Sequence, residues 1–138
     1  MWERLCAVCV VCFTRETRCP KSSAHTVVGC GSNMRPQTNL GLRRSFNQFN
    51  RDFFGGKLTI KTIRFGNIPD AAGLYDPNTE EIVINRCLKT WPRFTSMVLL
   101  HEMVHRKHHM SRVPMGHGKR FLKDMKWLVA HGAADRLL

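Results

Sequence analysis

From Asn39 onward, apolar residues recur at spacings that change from helical to alternating and back. Leu42, Phe46, Phe49 and Phe53 are spaced as one face of a helix, with Asn39 as its expected N-cap. Gly55-Gly56 stops that helix. Leu58 and Ile60, then Ile63 and Phe65, alternate with polar positions and predict a strand. The alternation shifts phase near Lys61–Ile63, so a bulge or break is expected there. Ala72-Gly73-Leu74-Tyr75 predicts a second strand, Asp76-Pro77-Asn78-Thr79 a turn, and Glu81-Ile82-Val83-Ile84-Asn85 a third strand. Residues 72–85 therefore read as a hairpin. Thr90 and Pro92 open a helix that runs to about His109. A loop with Pro114 and Gly116 follows. A last helix is expected from near Gly118 to Gly132, with Phe121, Met125, Leu128 and Val129 on one face. This order reads as one small α+β domain: an N-terminal helix, a three-stranded sheet of antiparallel type, a long helix and a C-terminal helix.

Composition adds partners rather than elements. The chain has 138 residues, of which 43% are hydrophobic, enough for one core and against global disorder. No apolar run approaches the roughly 18 residues of a membrane-spanning helix. The formal net charge is +12, of which residues 1–41 carry +3 and residues 42–138 carry +9. Such a chain is drawn to polyanions, of which nucleic acid is the commonest. No Lys/Arg tract marks a basic tail, so a basic folded surface is expected. RNP-type and GxxG-type nucleic-acid signatures are absent from the sequence.

The cysteines set the first segment apart. Cys6, Cys9, Cys12, Cys19 and Cys30 precede the patterned region, and only Cys87 lies within it. Their spacing misses the iron–sulfur pattern after Cys12, and a zinc ribbon needs two close pairs where one cluster exists. Leu5 to Phe13 is too weakly flanked for a secretory signal. Residues 1–37 are read as a Cys-rich leader outside the folded unit, either disordered or an over-extended reading frame ahead of Met34. Residues 38–138 are read as the domain.

The chemistry sits on the long helix. His101-Glu102-Met103-Val104-His105 is an HExxH sequence. Residues i and i+4 share a helical face, so both imidazoles can reach one zinc ion. Glu102 adjoins that face, where its carboxylate can reach a water on the metal. The apolar stretch Ser96-Met97-Val98-Leu99-Leu100 before it starts the motif on a buried helix, where two imidazoles need partners. A hydrolytic zinc site needs a third protein ligand. His117, between Gly116 and Gly118, is favoured, because its loop can fold back onto the helix. His108 and His109 lie a turn too far along the axis. Asp124 remains an acidic alternative, and Cys87 a thiolate one better read as structural. The metzincin form is excluded, since its Gly and His positions hold His108 and Ser111.

Four separated stretches resemble the SprT-like metalloprotease family. They are Asn47-Gln48-Phe49-Asn50 with Phe53-Phe54-Gly55-Gly56-Lys57-Leu58; Ala72-Gly73-Leu74-Tyr75; His101-Glu102-Met103-Val104-His105; and Gly116-His117-Gly118-Lys119-Arg120-Phe121. They stand in the family's order and span roughly residues 38–131. The resemblance implies a compact zincin-like fold, with His101, His105 and His117 as zinc ligands and Glu102 as general base. In members of the Spartan type it also implies proteolysis of proteins crosslinked to DNA. The sequence reaches Leu138 without their zinc ribbon or DNA-binding tail. A minimal bacterial or phage version is therefore the closer match. Its expected place is the cytoplasm, near the nucleoid.

The expected function is zinc-assisted peptide hydrolysis, with Glu102 moving the proton. Tyr75 is read as a packing residue rather than an oxyanion stabiliser. The sheet's edge is expected to receive an extended substrate. Arg106, Lys107, Arg112, Lys119, Arg120, Lys123 and Lys126 form either a solvated helix face or a non-specific DNA contact. The competing function is a non-catalytic basic nucleic-acid-binding module with a structural zinc.

Overall fold

The computed structural model describes residues 36–133. The expectations for residues 1–35, including the five N-terminal cysteines, lie outside the described residues.

Helix α1 spans Asn39–Phe53 and buries Leu42, Phe46, Phe49 and Asn50. Its cap is Thr38, one residue before the expected one, whose hydroxyl accepts from Gly41 N–H. Asn39 is diverted: its side-chain oxygen accepts from Phe65 N–H at 2.9 Å, tying the helix start to the sheet. Gly55 and Gly56 end the helix at φ +63° and +70°, a conformation glycine adopts without a Cβ clash. Asn50 brackets that turn. Its amide donates to Leu58 O, and its oxygen accepts from Leu58 N–H.

Strands β1 (Thr62–Gly66), β2 (Gly73–Asp76) and β3 (Glu81–Asn85) form one sheet in the order β1-β3-β2. Leu58 and Ile60 stay outside β1, consistent with the phase shift. The β2–β3 hairpin is antiparallel, with Tyr75 opposite Ile82. β1 runs parallel to β3, with Ile63 opposite Ile82. The sheet is therefore mixed, not antiparallel throughout. The hairpin turn fixes the direction of β2 against β3, but the chain leaves β1 and crosses past the position of β3 to reach β2. Being central, β3 buries Ile82, Val83 and Ile84 on consecutive positions.

A 3-10 turn over Arg86–Thr90 leads into α2, Pro92–Met110. Asn85 anchors the turn: its oxygen caps Cys87 N–H, and its amide donates to the Ile68 and Ala71 carbonyls. Cys87 is half-buried and packs against the core, its expected structural role. α2 packs along β2 and β3 and is buried on most of its circumference, from Val98 to His108. Helix α3, Lys119–Ala130, packs on α2 through Phe121 and Leu128, with Met125 partly buried beside them. Val129, expected on that face, is 60% exposed. No described helix is long and apolar enough to cross a membrane.

Candidate metal centre

α2 presents His101 and His105 one turn apart, and the loop before α3 brings His117 to them. The three Nε2 atoms form a triangle with sides of 3.2, 3.2 and 3.0 Å. Each Nε2 carries either a hydrogen or a lone pair. Three such atoms cannot make three donor–acceptor pairs among themselves, because at least one pair must match like with like. Burial, aided by neighbouring imidazoles, lowers the His101 pKa to about 4 and the His105 pKa to about 3. The rings are thus neutral near pH 7, with lone pairs to offer. The backbone of Met115 hydrogen-bonds the His105 ring, the outer contact that orients a metal-ligating imidazole. A tetrahedral ion with 2.0–2.1 Å bonds holds its nitrogens about 3.3 Å apart. The triangle fits that size, so the donors, their protonation and their spacing all suit a metal ion.

Phe121 forms the wall behind the cluster. Its ring is 2% exposed and lies 4.8, 4.8 and 4.7 Å from the rings of His101, His105 and His117. Docking α3 on α2 therefore sets the ligand rings.

Glu102 is 1% exposed. Burial pushes its pKa up to about 8, against a hydrogen bond from Tyr75 N–H. Its Oε2 has no hydrogen-bond partner among the described residues. A buried carboxylate with one oxygen unused, next in sequence to His101, can take up or release a proton. Gly73 makes room for it. A Cβ there would lie 2.9 Å from Glu102 Oε1 and 2.5 Å from Val98 Cγ1.

The SprT-like family model matches residues 42–134. The chain belongs to the SprT-like family. No curated protein and no solved structure matches it. Membership makes the fold around the three histidines a metallopeptidase-like domain.

The other ligand candidates of this SprT-like domain are employed elsewhere. Asp124 joins α3 to α2, accepting from Lys107 Nζ at 2.9 Å and meeting His108 Nε2 at 2.8 Å. Burial alone would raise its carboxyl. Those two partners outweigh burial and hold it below its ordinary value. His109 Nδ1 lies 2.7 Å from the Tyr75 hydroxyl.

Two features of the SprT-like domain are invisible in the sequence. Arg106 was expected in the solvated or DNA-facing set, but it is 4% exposed. It donates to the Tyr75 hydroxyl (2.9 Å), Glu80 Oε1 (3.1 Å), Thr59 Oγ1 (3.0 Å) and the Thr59 carbonyl. These bonds fasten α2 to β2, the hairpin turn and the segment before β1. Tyr75 is the buried structural residue expected of it, though its hydroxyl is held by Arg106 and His109 rather than by solvent. The second feature concerns the sheet edge. Asn85 N–H donates to Ala72 O, so alternate β2 residues, Gly73 and Tyr75, turn their backbone groups away from β3. Tyr75 N–H is already taken by Glu102, which narrows the edge expected to receive substrate.

Proposed function

We propose that this SprT-like domain is a zinc-dependent metallopeptidase acting on DNA-associated proteins, in the cytoplasm of a bacterial or phage-infected cell. The observation that carries the reading is the Nε2 triangle of His101, His105 and His117, flanked by the buried Glu102 carboxylate with its unused oxygen. His101, His105 and His117 would hold the ion. Zinc, when bound, supplies a Lewis acid that lowers the pKa of a water toward 7 and polarises the scissile carbonyl. Glu102 accepts the water's proton on Oε2 and delivers it to the leaving amine. A nearby cation favours the ionised carboxylate, which the raised value of the metal-free site otherwise disfavours. Tyr75 N–H and Gly73 hold that carboxylate in place.

Zinc content decides the ligand set. Purified full-length protein is expected to hold about one zinc per chain by elemental analysis, and His117→Ala to lose it on dialysis. Casein hydrolysis should stop with a chelator and return with added zinc. Full retention of zinc in His117→Ala would overturn the three-histidine site. About two ions per chain would place a second one among the N-terminal cysteines.

DNA association is supported by α3. Lys119, Arg120, Lys123 and Lys126 are exposed, and none forms an ion pair with a described residue. Binding to duplex DNA should weaken steeply with salt, each phosphate contact adding about 0.9 to the log–log slope. Replacing Lys123 and Lys126 together should lower the slope by about 2. A flat salt response removes DNA from the reading. DNA binding without any hydrolysis would favour the competing function, a basic binding module with a structural zinc.

A further inference from the structure

α2 ends in a Schellman closure. Val113 N–H bonds His108 O, Arg112 N–H bonds His109 O, and Arg112 sits at φ +54°. That position is usually glycine, because a Cβ there is strained. Arg112 lines an open hollow of about 490 Å³ with His109, Met110, Val113, Pro114 and Met115. No described residue forms an ion pair or hydrogen bond with the Arg112 side chain. By contrast, Arg106 and Lys107 on the same helix end are both engaged with carboxylates.

The hollow adjoins the metal centre. Met115 is two residues before His117, and its backbone bonds the His105 ring. On the other side, His109 is tied to Tyr75 of β2. Met110, Val113, Pro114 and Met115 make most of the lining apolar, and Arg112 brings to it a guanidinium that pairs with no described residue. This combination suits an apolar stem ending in a carboxylate, which arginine grips in two-pronged fashion.

We infer that this hollow is a substrate subsite for a glutamate side chain, with Arg112 as the residue that selects it. The inference rests on the peptidase reading, and its test is independent of turnover. The probe is a set of fluorescein-labelled Ala/Gly octapeptides carrying Glu, Gln or Leu at each position in turn. They are titrated by anisotropy into zinc-loaded, full-length Glu102→Gln protein. At one position Glu should bind about tenfold more tightly than Gln, as a charged hydrogen-bonded pair would give. Adding Arg112→Gly should erase that ratio. Glycine suits φ +54°, so this variant removes the guanidinium while leaving the helix end intact. Adding Lys126→Ala, which removes one charge from α3, should leave the ratio unchanged.

Equal binding of Glu and Gln peptides at every position overturns the subsite. So does a ratio that survives Arg112→Gly, or one that Lys126→Ala erases equally. If zinc-loaded parent protein cleaves none of the peptides while the binding pattern holds, the peptidase reading fails and the acidic-peptide site stands.

Discussion

Glu102→Gln is expected to lower peptide hydrolysis by about 10²–10⁴-fold, the range for loss of a general base, while zinc content stays at the parent value. The same change should stabilise the metal-free fold. Glu102 titrates near 8 in the folded chain against an ordinary 4.5. The folded state therefore binds a proton that the unfolded state has lost, and stability falls as pH rises from about 4.5 to 8. At pH 7 this amounts to a penalty on the order of 3 kcal/mol, which a neutral amide does not carry. His101 and His105 act in the opposite sense. Their folded values near 4 and 3 lie below the ordinary 6.5, so acid protonates the unfolded chain first. Their contribution is lost as pH falls below about 6.5. Between pH 4.5 and 6.5 two histidines oppose one glutamate, so stability rises with pH by the slope of one net proton. In Glu102→Gln that slope should about double. Urea denaturation of metal-free protein at pH 5, 6, 7 and 8 measures both. A variant no more stable than the parent at pH 7, or an unchanged acid slope, would contradict the raised carboxyl.

Gly73→Ala is expected to damage both the fold and the rate through a single added methyl group. The added Cβ would meet Val98 Cγ1 at 2.5 Å, Glu102 Oε1 at 2.9 Å and Glu102 Cγ at 3.2 Å. Val98 stands on α2 and Gly73 is paired in the sheet, so relief requires the strand and helix to separate. Overpacking of this kind costs about 1–3 kcal/mol. It also displaces the carboxylate, and a misplacement near 1 Å can cost about 10²-fold in rate. The three nearest atoms belong to Val98 and Glu102 rather than to His101, His105 or His117, so zinc content should be unchanged. Rates, zinc content and melting temperature measured together separate the effects. Hydrolysis at the parent rate would show that the Glu102 position does not depend on this contact.

Much of the site was legible because its residues are close in sequence. The one-turn spacing of His101 and His105 places both imidazoles on one face whatever the tertiary structure does. His117 could be favoured from its flanking glycines, but only the fold shows its Nε2 reaching the other two. What resisted reading was decided across the sheet. Thr38 and Asn39 are both good caps, and the choice fell to Thr38 because Asn39 bonds Phe65. The direction of β1 depends on a crossover rather than on its own residues. Val129 fits the helical spacing of Leu128's face but lies at its margin, where α2 no longer covers it. Arg106 looked like a surface charge, since nothing in its neighbours along the chain announces Tyr75, Glu80 and Thr59. Gly73 reads as a weak strand residue until the Glu102 side chain is seen against it.

The imidazoles of His101 and His117 are four and twelve residues from His105 along the chain. Closing so short a loop costs little entropy, and the Phe121 ring of α3 then docks behind the imidazoles. Glu102, in contrast, is placed by β2, a long-range contact formed only when the sheet is complete. Capturing the ion and using it are thus separate achievements of the fold. A chain that opened only at the sheet would keep the three imidazoles near one another, and a ligand that also binds such a state stabilises the native one by less than its affinity suggests.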